Sequence, residues 1–364
     1  MSGVSRWSVP FLGALVASLV LLGACAGPGP ERDSAPPLSS IPDQTAPSGP
    51  APSQTARPCT SDRKSCREQF ALSEGGKLPV YRNFSLSGND AVTSAIVVVH
   101  GTGRNAGGYF TRMLEAAKLA GASDTTLVAA PWFTTGDDDG TPRGTVRWTS
   151  DGWKIGENSR KPGGISSFTA MDELLLRLGD RSKFPHLTRI TVAGHSAGGQ
   201  FTQRYAATGK AQAQLTGIAV NYVVANPSSY LYPVPERPGA GGTHFARPND
   251  SSCENYNEYK YGLQNAPSYL AGMNAQQVAN NLATRRITYL LGASDTEQDD
   301  ELDTDCAAGL EGENRFQRGT YFYNWIRQTF PSAPTDRVVV PGTAHESDEM
   351  FQSSQARPAL FGKT

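Results

Sequence analysis

Six short runs of β-branched and other apolar residues, at 95–99 (AIVVV), 127–130, 190–193, 218–224, 287–291 and 338–340, recur along the chain. Runs this short and this continuously apolar read as strands buried on both faces, as in parallel sheets. Helical patterns lie between them. In 167–178, Phe168, Met171, Leu174, Leu175 and Leu178 share one face, Ser166 or Ser167 can cap the start, and Gly179 can end the helix. A later pattern puts Phe316, Tyr323, Ile326 and Phe330 on one stripe before Pro331 stops it. Strand and helix in alternation predict an α/β fold, a doubly wound and mostly parallel sheet with helices on both faces, formed by one domain over 59–364. With 38 Gly and 25 Pro among 364 residues the composition argues against a helical bundle, and no internal repeat points to a solenoid or propeller. Lys and Arg number 33 against 34 Asp and Glu, a net charge of −1, so nucleic acid is not an expected partner.

The interval 226–283 breaks the alternation with Pro, Gly, Asn and a crowd of tyrosines that includes Tyr230, Tyr232, Tyr256, Tyr259, Tyr261 and Tyr269. It reads as an insertion after the strand at 218–224, either a substrate-contacting cap or a loop subdomain packed on its own aromatics. Ahead of the domain, 26–58 holds nine prolines with Leu38 and Ile41 as its large apolar residues, too little surface to bury a core. Such a segment is a semi-extended spacer with a reach of up to ~100 Å at ~3.1 Å per residue. The apolar run 11–24 follows a short segment whose charge is Arg6, and it is too short to span a bilayer, so it reads as an export signal.

The strand at 190–193 runs into Gly194-His195-Ser196-Ala197-Gly198, and a helical pattern follows. The five-residue pattern alone is weak in a Gly-rich chain; its place between strand and helix is what makes Ser196 a candidate nucleophile on a sharp turn. A serine hydroxyl needs a base, and the chain offers five histidines: His100, His186, His195, His244 and His345. His186 precedes the nucleophile strand at its opposite end, His100 ends an earlier strand, His195 sits in the turn and is expected to point elsewhere, and His244 lies in the insertion. His345 follows the final strand at the sheet end where Ser196 emerges, and is the expected base. The turn GASD after the strand at 287–291 brings Asp295 to that same end as the carboxylate partner. Glu297, Asp299, Asp300, Glu301, Asp303 and Asp305 read as a solvated acidic loop, whose spacing lacks the glycine of a calcium loop. Oxyanion donors are expected from the amides of Ala197 and of Thr102, in the HGTG turn after AIVVV.

These motifs, HGTG at 100–103, GHSAGG at 194–199, GASD at 292–295 and GTAH at 342–345, resemble those of the α/β-hydrolase superfamily in their order, over roughly residues 77–350. The general look is similar to exported esterases and depolymerase-like hydrolases. Thr102 departs from lipases that carry glycine there, and the insertion is of no recognised type. The resemblance implies a serine hydrolase acting through an acyl-enzyme on a carboxylic ester, small molecule or polymer, without cofactor or metal. A peptidase or amidase would use the same triad, and a non-catalytic surface lipoprotein on a hydrolase fold is the alternative of a different class. Trp132 and Trp153, with Tyr230 from the insertion, are the candidates for an apolar substrate surface.

Leu22-Gly23-Ala24-Cys25 resembles the bacterial lipoprotein box, which implies cleavage after 24, a lipid on Cys25 and a membrane anchor at the cell envelope, an ordinary secreted protein being the alternative. With Cys25 lipidated, four cysteines remain in an exported chain. Three pairings are possible, and the expected one is Cys59 with Cys66 and Cys253 with Cys306.

Overall fold

The computed structural model describes residues 58–249 and 252–362. The signal segment 1–24, Cys25 and the 25–58 linker up to residue 57 lie outside the described residues. Eight strands form the central sheet: β1 (Arg67–Ala71), β2 (Lys77–Arg82), β3 (Ser94–Val99), β4 (Thr126–Pro131), β5 (Arg189–His195), β6 (Ala219–Ala225), β7 (Arg286–Gly292) and β8 (Thr335–Val340), in the order β1-β2-β4-β3-β5-β6-β7-β8. Every apolar run read from the sequence is a strand of the parallel part, from β4 across to β8. The antiparallel additions β1 and β2 gave no such signal, because β1 is mostly half-exposed and Pro79 interrupts β2.

Strand residues alternate between two cores, as the two-residue period of a strand requires. Ile96, Val98, Val128, Ala193, Val223 and Leu290 face α1 (Ala106–Leu119), α7 (Ser347–Gln352) and α8 (Arg357–Phe361). Ala95, Val97, Leu127, Val192, Val224 and Tyr289 face α2 (Ser167–Leu178), α3 (Ala197–Thr208), α4 (Ala275–Thr284) and α6 (Arg315–Thr329). Ser166 caps α2 by accepting from the Phe168 amide at 3.1 Å, and Gly179 follows its last residue. In α6 the buried stripe is Arg315, Arg318, Gly319, Phe322, Trp325 and Ile326, so it is rotated from the expected one: Phe316, Tyr323 and Phe330 are half-buried. Two buried arginines sit where a pattern of apolar residues gives no warning.

Among the described residues the interval 226–283 holds, up to residue 274, a two-residue antiparallel ribbon (Arg237–Pro238 with Phe245–Ala246) and short 3-10 turns; α4 then begins at 275 and opens with a capping box from Asn274 and Gln277. Its tyrosines pack on the body of the domain. Tyr230 and Tyr232 are fully buried against Phe322, at ring separations of 4.8 and 4.7 Å. Burying a side chain such as Phe322 contributes about 2 kcal/mol by area alone. The Tyr269 hydroxyl donates to Asp172 at 2.6 Å, and Tyr261 reaches Asp303 and Asp305. Disulfides join Cys59 to Cys66 and Cys253 to Cys306, the expected pairs. The second ties this interval to α5 (Cys306–Gly309). Among the described residues no helix is long and apolar enough to cross a membrane.

Candidate active site

The strand order reverses direction around β3 and β5, and ligands of open α/β sheets bind beyond the carboxyl ends of strands at such a point. Ser196 stands there, between the end of β5 and the start of α3, with φ 59° and ψ −122°. This backbone is strained for a residue with a side chain and persists because its surroundings hold it. The Ser196 amide donates to Ala225 O at 3.0 Å, and its carbonyl accepts from Gln200 N at 2.9 Å. The flanking glycines follow from close approach: a Cβ on Gly198 would stand 2.2 Å from Val99 O, and one on Gly194 2.1 Å from Gly198 O. Only hydrogen fits at either place.

Two loop crossings carry the other members. Past β7 the chain turns back, with Asp295 N donating to Gly292 O at 3.1 Å, and Ser294 N donates to Thr343 O at 2.9 Å in the loop after β8. His345 Nδ1 thereby comes within 2.7 Å of Asp295 Oδ2, where the ring N–H donates to the carboxylate. His345 Nε2 is left buried without a hydrogen-bond partner among the described residues. Asn226, in left-handed backbone just past β6, ties both loops: its side-chain oxygen accepts from Gly292 N at 2.9 Å and its amide donates to Ala344 O at 3.1 Å. Asn tolerates that backbone region better than most residues.

His195 does not simply point away from the site. Its ring lies 4.5 Å from the His345 ring, centroid to centroid, and its Nδ1 is 3.3 Å from the Tyr109 hydroxyl. Burial, reinforced by the His345 charge, pushes its pKa well below the ordinary histidine value, so it stands as a neutral wall behind His345.

The HGTG turn is latched from inside. His100 is fully buried and its Nε2 accepts from Phe133 N at 3.1 Å, which leaves the proton on Nδ1, 3.0 Å from Gly101 O. Burial brings its pKa down to about 4, so the ring is neutral near pH 7. Gly101 O also accepts from Arg104 N at 3.1 Å, and Arg104 Nε reaches both oxygens of Asp138 at 3.0 and 2.9 Å. Burial alone would raise the Asp138 pKa, but the Arg104 guanidinium and the Thr135 amide hold it below the usual carboxylate value. The Gly101 carbonyl and the Thr102 N–H belong to one planar trans peptide and point in opposite directions. Fixing the carbonyl against His100 therefore turns the Thr102 amide away from that ring.

A cleft of about 250 Å³ is lined by Ser196, His345 and Thr102 together with Asn105, Tyr109, Arg112, Glu301 and Glu346, a polar set. Larger hollows of about 500 Å³, such as the one beside Lys210 and Arg285, share no residue with it. The three expected substrate-binding aromatics are absent from the cleft lining. Trp153 is buried between His100 and Phe133, with ring centroids 4.5 and 6.0 Å away, because a large apolar ring gains more there than at a polar cleft. Tyr230 is buried against Phe322. Trp132 is half-buried beside Arg67 and lines an adjoining hollow with Tyr81 and Arg104, Asn105 bordering both that hollow and the cleft. The acidic loop is solvent-exposed, as expected, at Glu297, Asp299, Asp300, Glu301 and Asp305, whereas Asp303 is half-buried and pairs with Lys260 at 2.7 Å; from the exposed side, Asp299 grips the buried Arg315. Asn226, Tyr109 and Arg315 were absent from the sequence reading; Asn226 alone carried a signal, as an Asn before Pro at a strand end.

Residues 96–360 match the alpha/beta hydrolase family, and the chain belongs to it. No curated protein matches the sequence. Among solved structures, poly(aspartic acid) hydrolase-1 from Sphingomonas sp. KT-1 is similar at 22% identity and a TM-score of 0.59, covering 81% of this chain and 97% of that one. LpqC, a poly(3-hydroxybutyrate) depolymerase from Bordetella parapertussis, is similar at 19% identity and a TM-score of 0.57, covering 81% and 89%. At these identities the likeness is one of fold.

Proposed function

We propose that this chain is a serine hydrolase that cleaves carboxylic esters through an acyl-enzyme, with Ser196 as nucleophile, His345 as base and Asp295 as its carboxylate partner. The observation that carries the reading is a strained serine sharing one cleft with a histidine whose other ring nitrogen is held by a buried carboxylate at 2.7 Å. In this scheme the Ser196 hydroxyl attacks the ester carbonyl as its proton passes to His345 Nε2. Asp295 stabilises the imidazolium so formed, and the amides of Thr102 and Ala197 receive the developing oxyanion. The imidazolium then gives its proton to the leaving alcohol. Water attacks the acyl-serine by the same steps in reverse order and releases the acid.

The small polar cleft favours short or polar acyl groups over long alkyl chains, which need a deeper apolar pocket. The names of the two structural neighbours, a poly(aspartic acid) hydrolase and a poly(3-hydroxybutyrate) depolymerase, support a polymer or oligomer as substrate. Export with a lipid on Cys25 and a proline-rich spacer would hold the domain away from a membrane, and disulfides suit that oxidising setting. A fluorophosphonate probe should label Ser196, and Ser196→Ala should lose both labelling and turnover of esters from acetyl to palmitoyl, run beside aryl amides. Undiminished labelling in the Ala variant would overturn the mechanism; preference for the amides would overturn the ester assignment.

A further inference from the structure

Asp295 has a second oxygen that the reading above leaves idle, and a fully buried guanidinium faces it. Arg315 Nη1 lies 3.5 Å from Asp295 Oδ1, and the same guanidinium is gripped by Asp299 through two bonds of 2.7 Å, Nη1 to Oδ2 and Nη2 to Oδ1. Arg315 is the first residue of α6, whose N-cap Asn314 accepts from Gln317 N at 2.9 Å, and the next residue's amide, Phe316 N, donates to Asp295 O at 3.1 Å. The start of α6 thus holds Asp295 by its backbone and by its free carboxylate oxygen. A guanidinium in a two-bond fork with a carboxylate has little freedom left. A lone buried arginine would pull charge from Asp295, whereas one balanced by Asp299 supplies direction at almost no net charge.

We propose that Arg315, clamped by Asp299, is a positioning residue for the Asp295–His345 pair: it fixes the carboxylate plane so that Oδ2 meets His345 Nδ1, while Asp299 cancels its charge. The inference rests on reading Ser196, His345 and Asp295 as a triad. Arg315 binds no substrate in this role, and the acidic loop 297–305 acquires a function through one of its members. Burial opposes ionisation of Asp299, but the Arg315 bonds outweigh it and hold its pKa below the ordinary value, so the clamp keeps both charges across the working pH range.

The charges give the clamp a signature that a purely structural role lacks. His345 is faced by Asp295, by Arg315 with Asp299 behind it, by neutral His195, and across the cleft by Tyr109, Arg112, Glu301 and Glu346. Asp299→Asn leaves the Arg315 charge uncancelled, which disfavours the His345 imidazolium, so the acid limb of kcat/KM should move to lower pH by about half a unit, one charge seen through a dielectric between protein and water. Arg315→Met leaves Asp299 uncancelled and should move the limb the other way by a similar amount. The double variant should return the limb to its original place while kcat stays about ten- to a hundredfold low, because orientation is lost though charge is balanced. Arg315→Lys, a point charge without the fork, should keep the limb and lose part of kcat. Melting temperatures are taken alongside, and Asp299→Asn, at a partly exposed side chain, guards against a variant that fails to fold. Shifts of the same sign in both single variants, or full kcat in folded Arg315→Met, would overturn the proposal. If Ser196→Ala or Asp295→Asn stays active, the triad reading itself falls, which is a separate result.

Discussion

On the proposed mechanism, His100 would join stability and catalysis in one buried ring, and the two can be separated by substitution. The ring is neutral in the fold down to about pH 4, whereas an unfolded histidine protonates below about 6.5. Between those values the unfolded chain binds one more proton, so stability is fully present above pH 6.5 and is lost as pH falls toward 4. The fall from 6.5 to about 4 corresponds to about 3 kcal/mol. Urea unfolding of wild type and variants at intervals from pH 7 to pH 4.5 should show the wild type converging on any variant that lacks this ring. His195, buried beside His345, acts in the same direction but stays in both proteins and cancels in the comparison. His100→Asn can keep a donor near Gly101 O and lose the acceptor for Phe133 N; His100→Gln does the reverse. Leaving the Phe133 amide unpaired costs about 1–3 kcal/mol, so Asn should be the less stable variant at pH 7. Losing the Gly101 latch loosens the Thr102 amide, though Arg104 N still holds the same carbonyl, so His100→Gln should lose about tenfold in kcat, short of the 10²–10³ for deleting an oxyanion donor outright. Parallel stability curves for wild type and both variants would refute the burial argument. A fully active His100→Gln would refute the latch.

Glu311 is the opposite case. Its pKa is pushed up to about 8 by burial, so it is neutral in a fold whose unfolded chain ionises above 4.5, and stability is lost as pH rises between those values; Glu311→Gln should gain on wild type from pH 5 to pH 8, measured by urea unfolding. Gly198→Ala should sharply lower fluorophosphonate labelling and melting temperature together, since a Cβ there meets Val99 O at 2.2 Å; unchanged values would show that the turn can relax. Cys253→Ser with Cys306→Ser should cost about 4 kcal/mol, against about 2.5 for Cys59→Ser with Cys66→Ser, because the loops close 53 and 7 residues. Calorimetry with an ester assay checks the order, and turnover should fall in the distal variant alone.

The sheet was legible because its strands are buried on both faces and need continuous apolar runs, which leave few other readings. The site followed from the sheet. Once Ser196, His345 and Asp295 are each assigned to the carboxyl end of a parallel strand, the fold brings them to one edge, and a choice among five histidines becomes a choice of which strand end each follows. The hairpin of β1 and β2 escaped since an edge strand needs only scattered apolar residues. Trp153 and Tyr230 were misassigned for a related reason. An aromatic residue in a loop is equally compatible with a cleft wall and with a plug beneath it, and the decision depends on Phe133 and Phe322, which stand far away in sequence.

The charged residues mark the deeper limit. Asp299, Asp300, Glu301 and Asp303 look alike in a run of acids, and solvent is the natural destination for each. What separates Asp299 and Asp303 from their neighbours is a cation brought by another element: Arg315 from the first turn of α6, and Lys260 from the Tyr-rich interval. Neither cation is signalled locally: Lys260 is half-buried, and Arg315 opens a helix with only modest apolar character on its own face yet goes inside, where Asp295 is buried beside it and Asp299 meets it from the exposed side. A buried guanidinium paired with a partly exposed carboxylate gains little net stability and is costly to strip of its partner, so the pair is a poor source of stability and a good source of a fixed direction. Its position behind the carboxylate that holds His345 is therefore better explained by geometry at the site than by the energy of the pair, and that is the distinction the opposed pH shifts of Asp299→Asn and Arg315→Met are designed to draw.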